Sequence, residues 1–326
     1  MVDSFGRTID YLRISITERC NLRCLYCMPP EGVAWIPHDK VLRFEEIFVI
    51  CRIFAGLGIS DIKISGGEPL VRRGAVDFIR ELNNIIGINR VSMTSNGILL
   101  GEYLQSLSDA GLKAINISLD TLNEETYRRL TGLDGGLSKV LSAINKALEL
   151  ELEIKINCVP LAEFNKHDIV HIAGMAKNRN ITVRFIELMP LGAAADLEPI
   201  PADQVFSLIE KTYGKLKLSP LKFGKGPAVY YQLEGFKGHI GFINAISHNF
   251  CHNCNRLRLS SSGNVKLCLG DEQNLDLGSL VRSGISEEKI AAAIEEFIIN
   301  KPSRHSFGGV NVLDQFRKQE MFRIGG

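Results

Sequence analysis

From Asp10 to about Pro190, short β-rich apolar runs alternate with amphipathic stretches of helical period, and this alternation restricts the fold more than any other feature of the chain. Tyr11–Thr17, Asp61–Ser65, Arg90–Thr94, Ala114–Leu119, Glu153–Val159 and Ile181–Leu188 read as strands. Phe44–Leu57, Ala75–Ile86, Tyr103–Ala110, Leu137–Leu150 and Lys166–Asn178 read as the helices between them. Strands joined by helices run parallel and need cover on both faces of their sheet. About six such units, with no candidates for two more, predict an α/β fold: an incomplete (β/α)6 barrel of the TIM type. Functional groups belong at the carboxyl ends of its strands. Past Pro190 the pattern changes. Leu191–Pro201 is rich in Gly, Ala and Pro, a helix is predicted at Ala202–Tyr213, short strands run through Val229–Ile246, and a last helix is predicted at Glu287–Asn300. The expected division is a partial barrel over residues 1–225 and a smaller C-terminal region over 226–326.

Bulk charge selects no partner. The formal charge is +1 over 326 residues, so there is no global field for nucleic acid or membrane, and an anionic ligand must meet locally placed cations. Neither a signal-peptide h-region nor an apolar run of membrane-spanning length is seen, and a cytoplasmic protein is expected. Eight cysteines in such a chain read as metal ligands or catalytic groups before disulfides. Cys20, Cys24 and Cys27 crowd one loop near the start, and Cys251, Cys254 and Cys268 gather near the end. Cys51 and Cys158 read as buried packing residues.

Cys20-x3-Cys24-x2-Cys27 follows the first strand, so three thiolates leave one loop at the barrel mouth. Three cysteines on a four-iron cubane leave one iron open to an outside ligand; zinc is the alternative on spacing alone. Ser65-Gly66-Gly67-Glu68-Pro69 directly follows the second strand, where glycine lets backbone approach a ligand closely. Together with Tyr26 before the last cysteine, these motifs resemble the radical S-adenosylmethionine superfamily. The resemblance implies that S-adenosylmethionine chelates the open iron of a [4Fe-4S] cluster and is cleaved to a 5′-deoxyadenosyl radical. By matching position it assigns Gly67 to the methionine moiety, Tyr26 and Met189 to the adenine region, and Ser118 to the amino acid or ribose.

Cys251-x2-Cys254-x13-Cys268 again supplies three ligands. His248 or His252 would complete a Cys3His zinc site, so that reading stays open on spacing. Arg256 and Arg258 fall on one side of a probable strand, and such guanidinium forks suit phosphate or another electron-rich ligand. The stretch from Cys251 to Ser260, with Leu267-Cys268-Leu269, resembles the GTP 3′,8-cyclase family of molybdenum cofactor biosynthesis. So do Tyr11 to Thr17, Thr94-Ser95-Asn96-Gly97, Asn116-Ile117-Ser118-Leu119-Asp120, Arg184 to Pro190, and the terminal Gly325-Gly326.

That likeness implies a lyase with a second [4Fe-4S] cluster whose open iron meets the guanine of GTP. Hydrogen would be removed from the ribose C3′ and the carbon radical would add to C8, giving 3′,8-cyclo-7,8-dihydro-GTP. GTP contacts would fall on Arg13, Lys63, Thr94, Lys155, Arg256, Leu257 and Arg258, with Arg256, Arg258, Gly325 and Gly326 serving catalysis. Lys63 departs from the Arg expected there, which keeps the charge and loses the bidentate fork. From the residues themselves, Ile154-Lys155-Ile156-Asn157 alternates so that Lys155 and Asn157 share one strand face. Also implied are an electron donor and a downstream cyclic pyranopterin monophosphate synthase; a homodimer is compatible with the chain. The alternative is another two-cluster radical enzyme acting on a peptide, although such C-terminal regions usually hold more than three cysteines.

Overall fold

The computed structural model describes residues 1–29, 31–32, 36–271 and 273–305. The six expected strands form as β1 (Tyr11–Ser15), β2 (Asp61–Ser65), β3 (Arg90–Ser95), β4 (Ala114–Ser118), β5 (Glu153–Cys158) and β6 (Ile181–Ile186). They pair in parallel, in chain order. Between and beyond them lie α1 (Phe44–Gly56), α2 (Ala75–Leu82), α3 (Leu100–Asp109), α4 (Glu124–Thr131), α5 (Gly136–Glu149), α6 (Ile169–Gly174) and α7 (Ala202–Tyr213).

The sheet is wider than the six-unit expectation. After α7 come β7 (Lys217–Leu218), β8 (Val229–Gln232), β9 (His239–Ile243), β10 (Arg256–Leu259), β11 (Asn264–Lys266) and β12 (Leu275–Asp276), followed by α8 (Leu277–Arg282) and α9 (Glu287–Ile299). All of these strands join one sheet in the order β12-β11-β10-β1-β2-β3-β4-β5-β6-β9-β8-β7. β9 lies parallel to β6 and β10 parallel to β1, whereas β7, β8, β11 and β12 pair antiparallel at the two ends. The C-terminal region thus extends the barrel sheet from both edges, and α8 and α9 pack on α1.

Helix boundaries have identifiable side-chain causes. α2 stops at Leu82 because the Asn83 side chain donates to the carbonyls of Ile79 (3.0 Å) and Ala110 (2.9 Å), leaving Ile86 96% exposed. α4, absent from the pattern reading, is mostly polar; Asn123 caps it by accepting the Thr126 N–H at 2.9 Å, and Gly132 ends it at φ 73°. The stretch expected as one helix over 166–178 divides into a 3-10 turn, Lys166–Asp168, and the shorter α6.

Strand alternation determines what faces inward. Leu12, Ile14, Ile62, Ile64, Val91, Met93, Ile115, Ile117, Ile154, Ile156, Val183 and Phe185 are buried in the apolar core, together with residues of the covering helices. The alternate positions are polar, and register sets them in rows. Arg258, Arg13 and Lys63 are neighbours across β10, β1 and β2. Thr94, Asn116, Lys155 and Thr182 succeed one another from β3 to β6, as do Ser118, Asn157 and Arg184 from β4 to β6. A closed eight-stranded barrel fills such rows with Val, Ile and Leu. Here the rows are charged or hydroxylated, and the interior is a cavity.

Candidate active site between two cysteine clusters

The cavity measures about 330 Å³ and is lined by all six of the clustered cysteines. Cys20, Cys24 and Cys27 lie on the loop after β1. That loop is held by the Gly-Gly-Glu-Pro turn after β2: the Gly67 N–H donates to Thr17 O (2.7 Å) and the Glu68 N–H to Arg19 O (2.9 Å). A Cβ on Gly67 would stand 2.3 Å from Arg19 O, and one on Gly66 would stand 2.4 Å from Thr17 O, so only glycine permits this approach. Glu68 is fully buried and accepts from the Asn96 N–H (2.7 Å), Ser95 Oγ (3.0 Å) and the Leu70 N–H (3.1 Å). Burial raises its pKa to about 7 against those hydrogen bonds. Asn96 in turn reaches Cys20 Sγ at 3.7 Å and Asn21 at 2.8 Å. The Thr94-Ser95-Asn96-Gly97 stretch therefore braces the cysteine loop from β3.

All three thiols have raised pKa values through burial, Cys27 to about 12, and Cys24 is raised further by Cys27 and Cys20. Thiols raised in this way stay protonated at neutral pH, and a cationic centre beside them would favour the thiolate form. The expected cofactor-binding residues Tyr26, Gly67, Ser118 and Met189 all line the same cavity. Tyr26 Oη donates to Asp120 Oδ2 at 2.6 Å, and Asp120 Oδ1 accepts the Val159 N–H at 2.7 Å. Asp120, pushed up to about 6 by burial, went unmarked in the sequence reading although it sits inside a quoted motif. Cys51 and Cys158 are fully buried in the core, as expected.

Arg13, Lys63, Thr94, Lys155, Arg256 and Arg258 line the cavity; Leu257 does not, since β10 alternation turns its side chain into the core. Gly325 and Gly326 lie outside the described residues. Arg184 is a cavity residue the sequence reading did not select. It donates to Asn157 Oδ1 from Nε (3.0 Å) and from Nη2 (2.5 Å), and the alternation that singled out Lys155 applies equally to Thr182 and Arg184. Lys155 is buried beside Glu153, which also pairs with Arg90. Burial lowers the Lys155 pKa to about 8, partly offset by Glu153. Lys63 is pulled well below the ordinary lysine range by burial, then by Arg184, Lys155 and Arg13. Burial likewise lowers Arg13 to about 10 and Arg258 to about 9. Thr94 Oγ1 and Asn116 Oδ1, neighbours in register on this wall, are buried without a hydrogen-bond partner.

Cys251, Cys254 and Cys268 face the cavity near the start of β10. Burial raises the Cys254 thiol, but Arg256 and Lys301 outweigh it and bring the pKa down to about 7. The Arg256 guanidinium lies over the Phe250 ring, 4.9 Å from its centroid. His248 and His252 are both exposed, and neither lines the cavity. Among the described residues no three His, Cys, Asp or Glu groups are placed to hold a single metal ion; His305 lines the cavity together with the three thiols, its Nε2 2.7 Å from the Ala245 carbonyl oxygen. Each trio suits a cluster that takes three cysteines and keeps one iron open.

The loop between β7 and β8 supplies the floor. Phe223, Gly224, Lys225, Gly226 and Pro227 line the cavity, and the Lys225 ammonium is anchored on Asp10 (2.6 Å), Ser60 (2.6 Å) and Asp61 (3.2 Å) at the amino ends of β1 and β2. No described helix is long and apolar enough to cross a membrane.

Residues 14–176 match the radical SAM superfamily, and residues 181–307 match the Molybdenum Cofactor Synthesis C family. A Clostridium perfringens (strain SM101 / Type A) protein named GTP 3′,8-cyclase is 42% identical over 326 residues, covering 100% of both chains. A protein of the same name from Pelotomaculum thermopropionicum is 42% identical over 331 residues, again covering 100% of each. Among solved structures, Streptococcus suis SuiB bound to S-adenosylmethionine superposes with a TM-score of 0.62 at 12% identity, over 98% of this chain and 76% of that one, a likeness of fold. With two family regions meeting around one cavity and a resemblance that runs the whole length, the chain belongs to the GTP 3′,8-cyclase family of radical S-adenosylmethionine enzymes.

Proposed function

We propose that this protein converts GTP to 3′,8-cyclo-7,8-dihydro-GTP, the opening step of molybdenum cofactor biosynthesis, with one [4Fe-4S] cluster on Cys20, Cys24 and Cys27 and a second on Cys251, Cys254 and Cys268. The observation that carries this reading is the single cavity onto which both thiol trios and a wall of buried cations open. When bound, the first cluster with S-adenosylmethionine supplies the one-electron chemistry that removes hydrogen from the substrate ribose. Gly67, Tyr26, Ser118 and Met189 would hold that cofactor, Tyr26 being oriented by its hydrogen bond to Asp120.

Arg13, Lys63, Lys155, Arg184 and Arg258 are too deeply placed to be solvated as ordinary surface cations, and the acids near them are few. Buried charge of one sign is stable only against charge of the other. A triphosphate supplies it, while Thr94 and Asn116 offer unmatched hydrogen-bonding atoms beside it. Arg256, Arg258 and the Leu257 backbone would orient the nucleotide next to the second trio, and Gly325 and Gly326 would assist. Holding the nucleotide in one pose while the 223–227 floor keeps water out is what such chemistry asks of a protein.

The alternative, a peptide substrate, would bring less negative charge to these cations than a triphosphate does. We further read residues 1–225 as the barrel and 226–326 as the substrate-completing region. An unidentified electron donor serves the enzyme, its product passes to cyclic pyranopterin monophosphate synthase, and the chain is cytoplasmic. Anaerobic reconstitution tests the whole reading: about eight irons per chain are expected for two cubanes, with 5′-deoxyadenosine released in proportion to GTP consumed. Cys268→Ser should retain about four irons and cofactor cleavage while losing the cyclised product. Tight zinc without iron, or turnover with a peptide and none with GTP, refutes it.

A further inference from the structure

Two buried cations hold the second cysteine trio from behind, and neither lines the cavity. Arg7, 7% exposed, donates to the carbonyl of Cys251 (2.8 Å) and to those of Pro302 (2.8 Å), Lys301 (3.3 Å) and Ser303 (3.3 Å). Its charge is matched by Asp3 at 2.6 Å. Lys301, 2% exposed, donates to the carbonyl of Arg256 at 2.9 Å and to that of Leu267. Arg256 lies just beyond Cys254 in the chain and Leu267 just before Cys268, so one ammonium ties together the two segments that carry these thiols.

Unlike Arg7, Lys301 has no carboxylate partner among the described residues; its acceptors are carbonyl dipoles. An ammonium placed that deep is costly unless an anion lies close by. Burial lowers its pKa, and the groups pushing it back up are the Cys254 and Cys268 thiolates. Three thiolates on a four-iron centre leave it net negative, and an added electron deepens that charge.

We propose that Lys301 is a positioning residue for the second cluster and its built-in counter-charge, holding the Cys254 and Cys268 segments in place and making the cluster easier to reduce. This rests on the reading of Cys251, Cys254 and Cys268 as ligands of a second four-iron cluster.

Potentiometric titration of the anaerobically reconstituted full-length enzyme, followed by electron paramagnetic resonance, tests it. The second cluster is identified as the signal missing in Cys268→Ser. In Lys301→Gln the reduced-to-oxidised ratio of that cluster at fixed potential should fall about tenfold, equivalent to about 59 mV for a one-electron couple. The first cluster should keep its potential, and Lys301→Arg should restore the second. Selective loss of the second cluster in Lys301→Gln, restored in Lys301→Arg, supports the same role. An unchanged potential in Lys301→Gln, an equal shift in Lys301→Gln and Lys301→Arg, or loss of both clusters together overturns it. A wild-type protein with only one cluster overturns the second-cluster reading beneath it.

Discussion

Replacing Gly67 by Ala puts a methyl group where the cysteine loop already is. Its Cβ would lie 2.3 Å from Arg19 O, 2.6 Å from Arg19 C and 2.8 Å from Glu18 O. These are backbone atoms, so no rotamer change relieves the clash. The chain must either tolerate overpacking at about 1–3 kcal/mol or move the loop, giving up the Gly67–Thr17 and Glu68–Arg19 hydrogen bonds at about 1 kcal/mol each. Moving the loop is the cheaper course because its contacts are fewer than those of the core, so the damage should fall on the first cluster site rather than on global stability. A local distortion of about 3 kcal/mol corresponds to roughly 100-fold in an equilibrium. In anaerobically reconstituted Gly67→Ala, S-adenosylmethionine affinity measured by equilibrium dialysis should drop by about that factor. Iron at the first trio should become labile, while iron at the second and GTP binding survive. If the variant binds S-adenosylmethionine within about tenfold of wild type and keeps both clusters, the close approach of turn and loop is not what shapes the site.

Lys155 gives a pH prediction. Burial brings it to about 8 in the free protein, and a triphosphate beside it favours the ammonium, so binding takes up a proton above that pH. GTP affinity should therefore hold below about pH 8 and fall above it, by up to about tenfold per unit; isotherms across that range check the sign, and a flat wild-type profile counts against the assignment. Lys155→Met should weaken GTP about 10- to 100-fold, as expected for a charge-assisted contact, flatten the profile, and leave S-adenosylmethionine binding unchanged in the same titrations. Asp120→Asn alters the acceptor that orients Tyr26; a loss of about 1–2 kcal/mol predicts S-adenosylmethionine binding roughly 5- to 30-fold weaker with GTP binding intact, and equal losses for both ligands would show a general folding defect instead.

The six parallel strands were legible because each carries Ile, Val, Leu, Met or Phe at alternate positions and is bounded by turn residues. Amphipathic helices were legible because one buried face repeats at helical period, and their ends less so: Asn83 stops α2 through contacts with Ile79 and Ala110, the second far away in sequence. α4 escaped because its short polar stretch is held by caps at Asn123 and Gly132 rather than by an apolar stripe. Arg184 follows on β6 the same period-two alternation that Lys155 follows on β5, but it stands alone as a charge within a mostly apolar strand. Leu257 was carried along with its arginine neighbours, and the strand period separates it from them.

Residue identity and spacing determined the two thiol trios, the glycine turn and the period-two alternation of polar side chains, because these are local properties of covalent order. That the trios open on one cavity was decided by tertiary structure alone. It depends on β10 pairing with β1, so that Arg258 stands beside Arg13 and Cys254 leads directly into β10. Strand partners so far apart in sequence are chosen by the surface they bury together, and no local pattern encodes that choice.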